Sequence, residues 1–189
     1  MNEEIRSFIA IELPNEVKSQ IESYVSELRK FAPKLKWVKK ESLHITLKFL
    51  GNQPPHTIEN VIASLIPLKE YGKSFEIQIK NIGAFPNQNK PRVIWLGIEA
   101  SPRELFFQTY AWIEEQLEQL GFEKEKRKFS PHLTLARIKF PTDLKGLWGF
   151  TENQPFPVQS FKVTEIVLMR SILKSFGAEY HQIQKYPLR

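Results

Sequence analysis

The sequence predicts an α+β fold of two pseudo-twofold-related lobes, each of mainly antiparallel sheet with outer helices, around a central cleft. Three observations lead there. A His-x-Thr triplet occurs twice, at residues 44–46 and 132–134, each inside a mostly apolar run. Its surroundings recur with it: Pro102 lies 88 positions after Pro14, His132 lies 88 after His44, and Thr134 lies 88 after Thr46. The same offset lays a strand-like segment at 74–82 over 162–170. Residues 5–82 and 92–170 therefore read as a duplicated strand–helix–strand unit. Each half needs the other to cover its sheet, so 1–189 reads as a single bilobal domain.

Residues 5–13 read as a mostly buried strand. Pro14, Asn15 and Glu16 open a helix whose apolar face is Val17, Ile21, Tyr24, Val25 and Leu28, and Pro33 closes it. A basic connector carrying Trp37 and Val38 leads into the first His strand, 44–51, which Gly51, Pro54 and Pro55 stop. Thr57 is placed to cap a second helix with Ile58, Val61, Ile62 and Leu65 inward, ended by Pro67. Residues 74–82 alternate as a half-buried strand, and 83–91 form a turn-rich loop. The pattern then restarts with a strand at 92–99. Ser101, Pro102 and Glu104 form a capping box before a helix with Phe106, Tyr110, Ile113, Leu117 and Leu120 along one face. Gly121 stops that helix, a second basic connector enters the strand at 132–138, and a last strand is expected at 161–169.

Composition narrows the function. Hydrophobic content of 41% and charged content of 25% suit a globular protein. With no cysteine, disulfides, thiolate nucleophiles and Cys-ligated zinc are excluded. The apolar run at 8–11 is cut by Glu12 and is too short for a secretory signal. No run approaches the roughly 20 residues that span a bilayer. The expectation is a cytoplasmic monomer with no membrane contact. A net charge of +6, with basic clusters at 34–40 and 124–128, favours a polyanionic partner.

Side chains two apart on a strand share a face, so His44 stands with Thr46 and His132 with Thr134. Across a twofold axis the imidazoles oppose each other. Such a pair suits in-line displacement at phosphorus: one ring takes a proton from the nucleophile and the other gives one to the leaving oxygen. The Thr hydroxyls donate to the non-bridging oxygens as charge grows there. The scheme needs no cofactor. With four histidines and no carboxylate cluster beside the triplets, no metal site is expected. His56 and His181 have no counterpart at the repeat offset. Strand parity puts Lys48 on the His face at the cleft mouth. It turns Arg137 away unless a bulge restores it. Trp37 and Phe129 are candidates to stack a ring of the substrate, and Lys36, Lys39, Lys40, Lys126, Arg127 and Lys128 are candidates for a positive rim facing a polyanion. For each of these the alternatives are core packing and a solvated charge.

The paired triplets resemble the 2H phosphoesterase superfamily. Flanking segments narrow the resemblance to the RNA 2′,3′-cyclic phosphodiesterases, also called 2′-5′ RNA ligases: His-Ile-Thr-Leu-Lys-Phe-Leu-Gly at 44–51, Pro-Arg-Val-Ile-Trp at 91–95, Phe-Ser-Pro-His-Leu-Thr-Leu-Ala-Arg at 129–137, and Leu-Met-Arg-Ser-Ile-Leu at 168–173 with Gly177 and Tyr180. It runs essentially end to end. The resemblance implies metal-independent hydrolysis of an RNA terminal 2′,3′-cyclic phosphate to a 2′-phosphate, with His44 as proton donor and His132 as proton acceptor. The alternatives are ATP-independent 2′-5′ ligation as the relevant direction, another cyclic-phosphate substrate, and a non-catalytic RNA-binding module.

Overall fold

Val17, Ile21, Val25 and Leu28 recur every three or four residues and bury one side of helix α1 (Asn15–Phe31), as the pattern requires. The computed structural model describes residues 3–126, 129–174 and 177–189. In chain order the elements are β1 (Ile5–Glu12), α1, the two-residue strand β2 (Lys36–Trp37), a 3-10 turn at Lys40–Ser42, and β3 (His44–Gln53). There follow α2 (Pro55–Leu65), the short helix α3 (Leu68–Tyr71), β4 (Phe75–Phe85), β5 (Val93–Ser101) and α4 (Arg103–Gln119). The chain continues with β6 (His132–Arg137), α5 (Lys145–Asn153), β7 (Gln159–Val163), β8 (Glu165–Lys174) and β9 (Gly177–Pro187).

The strands form two antiparallel sheets, ordered β3-β1-β8-β9 and β2-β6-β5-β4-β7. The architecture is the expected α+β one of two sheets with helices. The sheets do not follow the sequence halves, however. β8 from the second half joins the sheet of β1 and β3 by pairing with β1, whereas β4 from the first half joins the sheet of β5 and β6 by pairing with β5. Each repeat sends its third strand to the other sheet, so neither half closes a sheet alone.

Three boundaries differ from expectation. The strand expected at 161–169 is two strands. Its backbone breaks at Thr164, whose carbonyl accepts the Leu188 amide, and the chain crosses there from one sheet to the other. Thr57 does not cap α2. The helix starts at Pro55, three residues earlier than a Thr57 cap implies, because Pro55 presets the first-turn φ and needs no N–H partner. Ser101 likewise remains in β5, paired opposite Glu76, and no side chain caps α4. Gly121 does follow the C-terminus of α4 with φ +87, a conformation that costs glycine little.

One large apolar core lies between the sheets and the helices; it contains Ile9, Ile11, Ile45, Leu133 and Leu135 together with Ile21, Leu28, Ile113 and Leu117. A small second cluster of Phe8, Ala10, Val167 and Met169, covered by Tyr180, lies on the opposite face of the β1 sheet. That second face carries His44.

Candidate functional site

His44 and His132 are held by the same local device. In each ring Nδ1 donates to the carbonyl two residues earlier, Ser42 for His44 and Ser130 for His132, both at 2.8 Å. The carbonyl can only accept, so Nδ1 carries the hydrogen and Nε2 is left to give or take a proton. The two serines stand 88 residues apart, and this was a signal in the sequence that the motif reading passed over.

Thr46 lies opposite Ala10, and Thr134 lies opposite Trp95, so each Thr shares the face of its His. Strands β3 and β6 approach each other where the sheets meet. Arg137, on the strand of His132, lies close enough to His44 for its charge to disfavour the imidazolium.

The surroundings of the two rings differ. His44 lies 4.7 Å from the Phe8 ring and 4.9 Å from the Tyr180 ring, the latter edge-on. Burial pushes its pKa down from 6.5 to about 4. The Ser42 carbonyl opposes that shift, and the charges of Lys18 and Arg137 add to it. Burial also raises the Tyr180 phenol, against the pull of Arg137 and Arg6. His132 and Phe85 form a T-shaped pair with centroids 5.0 Å apart, and Phe85 lies tilted by 34° against Trp95, also at 5.0 Å. The buried Trp95 indole N–H has no hydrogen-bond partner among the described residues. Trp95 fits because residue 83 is glycine: a Cβ there would lie 2.5 Å from the indole ring.

Bulges decide where the remaining candidates go. In β6 the pairing skips Leu135, so Leu135 and Ala136 both turn inward and Arg137 returns to the His face. In β3 the pairing skips Leu47, which sends Lys48 the other way. Lys48, expected at the cleft mouth, instead points toward α4. Its Nζ lies 2.9 Å and 3.0 Å from the two Glu114 carboxylate oxygens and donates to the Glu123 carbonyl at 2.6 Å. The side chains of this pair are only 10% and 7% exposed. The next residue, Phe49, takes the His face beside Phe8.

The two aromatic candidates are not at the cleft. Trp37 packs on the main core, and its indole N–H donates to the Ala32 carbonyl at 3.0 Å. Phe129 stacks on Tyr110 of α4 with centroids 4.0 Å apart and planes 5° apart. Of the basic rim, Lys36 is exposed, Lys40 donates to Ser19, and Lys126 lies 3.7 Å from Glu123. Arg127 and Lys128 lie outside the described residues. Sequence reasoning missed Lys18, Phe8 and Phe85. Among the described residues no three His, Asp or Glu side chains gather so as to hold a metal ion, and no helix is long and apolar enough to cross a membrane.

Comparison with known proteins agrees with this geometry. A family model described as LigT like phosphoesterase matches residues 11–95 and again 96–178, one match per repeat. A protein of Methanocaldococcus jannaschii named RNA 2′,3′-cyclic phosphodiesterase is 34% identical over 96% of this chain and 100% of its own length. One of the same name from Methanothermobacter thermautotrophicus is 34% identical over 97% and 99%. Among solved structures, E. coli LigT complexed with 3′-AMP superposes with a TM-score of 0.79 at 25% identity, covering 98% of this chain and 99% of that one.

Proposed function

The chain belongs to the LigT-like phosphoesterase family, and from that premise we propose that it hydrolyses the terminal 2′,3′-cyclic phosphate of RNA to a 2′-phosphate. The observation that carries the reading is the pair of His-x-Thr strands, each with Nδ1 tied to a serine carbonyl and Nε2 left to exchange a proton.

In the reaction, Nε2 of His132 takes a proton from water as the water oxygen bonds to phosphorus. The bond from phosphorus to O3′ breaks, and O3′ takes the proton on Nε2 of His44. O2′ keeps the phosphoryl group. Thr46 and Thr134 donate to the non-bridging oxygens, whose charge grows as the fifth bond forms. Run backward with a 5′-hydroxyl in place of water, the same groups form a 2′-5′ linkage. The protein's own residues perform each step, so no cofactor or metal is invoked.

The depressed pKa of His44 favours a second assignment, in which His44 is the base and His132 the acid. A bound phosphate beside His44 opposes that depression, because an anion favours the imidazolium.

The test is product analysis on a short RNA ending in a cyclic phosphate. A 2′-phosphate product is expected, formed equally well in EDTA. The His44→Ala and His132→Ala variants are expected to turn over about 10²–10⁴-fold more slowly while remaining folded. Wild-type rates in either variant reject its role, and loss of activity in chelator rejects the metal-free scheme.

A further inference from the structure

We propose that the buried Lys48–Glu114 pair is a positioning device. It stands in for a strand pairing that the second repeat lacks, and so holds His132 in place relative to His44. That this spacing serves catalysis rests on the reaction proposed above; the contacts that set it do not.

The two repeats fix their connectors differently. In the first, the connector between α1 and β3 pairs with the second His strand. Lys36 and Trp37 of β2 lie opposite Arg137 and Ala136 of β6, and the Val38 amide donates to the Leu135 carbonyl at 2.8 Å. The offset of 88 maps Trp37 onto Glu125, and Lys48 onto Ala136. The twofold image of that pairing therefore joins residues 124–125 to β3 at Lys48. Residues 124–125 form no strand. Lys48 reaches the same segment with its side chain instead. Its Nζ donates to the Glu123 carbonyl at 2.6 Å and to a Glu114 carboxylate oxygen at 3.0 Å, and that oxygen also accepts the Glu125 amide at 3.1 Å. The counterparts of Lys48 and Glu114 by offset are Ala136 and Ser26, neither of them charged, so this ion pair belongs to one repeat only.

The tie leads to His132. Tyr110 lies one turn before Glu114 on α4, and Phe129 stacks on it with planes 5° apart. The next residue is Ser130, whose carbonyl accepts Nδ1 of His132 at 2.8 Å. At the other end, Lys48 stands one His-face bulge beyond His44 on the same strand. One ion pair thus links the strand of the first ring to the segment that orients the second. Apolar residues fill buried space as stably as an ion pair, and often more so. What they lack is direction. A displacement of about 1 Å at a reacting group is enough to cost about 10²-fold in rate.

The experiment combines steady-state kinetics on a short RNA ending in a cyclic phosphate with NMR of the histidine rings. Lys48→Met/Glu114→Leu fills the space of the pair with apolar side chains. It is expected to unfold in urea close to wild type, with kcat at least about tenfold lower and KM within about twofold. The His132 ring resonances are expected to move, and those of the exposed His56 to stay. Glu125→Pro removes the amide that Glu114 holds without entering the core, which keeps the test decisive if the double variant folds poorly. It is expected to lower kcat likewise, whereas Glu125→Ala, which retains the amide, is not. Wild-type kcat in a folded double variant overturns the tie, and so does Glu125→Ala slowing turnover as much as Glu125→Pro. The reaction is judged on wild type alone. If wild type leaves the cyclic phosphate intact, the reaction falls and the ring resonances decide the tie: moved His132 signals support it, and unmoved ones overturn it.

Discussion

His44 should make the protein acid-sensitive in a way that one substitution removes. In the folded protein its pKa lies at about 4, chiefly because burial penalises the imidazolium, against 6.5 for an ordinary histidine. The unfolded chain therefore binds the proton more tightly. Above pH 6.5 both states are neutral at this residue and the full stability is present. As pH falls from 6.5 toward 4 the unfolded state gains a proton that the folded state refuses, and stability is lost. With these two values the loss reaches about 2 kcal/mol at pH 5 and about 3 kcal/mol at pH 4. His44→Gln keeps a donor for the Ser42 carbonyl but cannot titrate. Urea unfolding of both proteins at pH 7 and pH 5 isolates the effect, since other titrating groups cancel in the difference. Wild type should lose about 2 kcal/mol more than the variant between those conditions. Parallel losses would refute the reasoning, and so would an NMR titration placing the His44 ring near 6.5.

Other outcomes follow from the same geometry. Lys48→Met leaves the Glu114 carboxylate buried without its cation and should cost about 3–5 kcal/mol in denaturant unfolding, while the Lys48→Met/Glu114→Leu pair should recover most of that loss. A double variant no more stable than the single one would show that the ion pair is not the source. Gly83→Ala drives a Cβ into the Trp95 ring, so it should cost about 1–3 kcal/mol and slow turnover through the Phe85 ring that edges His132. Unchanged kinetics would detach this wall from the site. If His44 is the donor, a 2′-nucleotide binding at pH 7 should bring a proton with it, seen as a buffer-dependent binding enthalpy. No uptake would assign the donor role to His132.

The site was legible because its chemistry sits on a strict two-residue period repeated at a fixed distance. The duplicated triplets singled out His44, Thr46, His132 and Thr134 as candidates, and the turn and helix signals around them placed α1, α4 and the His strands. What failed was parity beyond the triplet. Leu47 and Leu135 are ordinary strand residues in sequence, and only the paired strands show that each is skipped in the ladder. After a skip the alternation inverts, so Lys48 left the cleft and Arg137 entered it. Trp37 and Phe129 stayed undecided between cleft and core for another reason: an aromatic beside lysines looks the same in sequence whether it faces a cleft or packs on the core. Strand β9 escaped notice because it is a largely polar edge strand with few buried positions. The exchange of third strands was illegible because hydrophobic period records which face a strand buries, not which sheet it joins.

Duplication places two histidines in the same backbone setting, whereas the proposed hydrolysis asks for two different proton carriers. The surroundings of the two rings differ although the motif does not. Both rings have the same tautomer, set by the same serine carbonyl, so the backbone of the repeat supplies no difference. The difference comes from what surrounds each ring. Phe8 and Tyr180 of its own sheet pack against His44, and Lys18 of α1 and Arg137 of the other sheet reach it with their charges; burial and both charges act against positive charge there. His132 meets Phe85 in a T-shaped pair. Distinct acid and base roles arise when environments push paired titratable groups apart. The setting of His44 rests first on its burial, and one of the charges that reach it, Arg137, stands where the first half of the repeat carries Phe49. Exchanging the residues at that pair therefore changes the surroundings of His44 without touching either histidine.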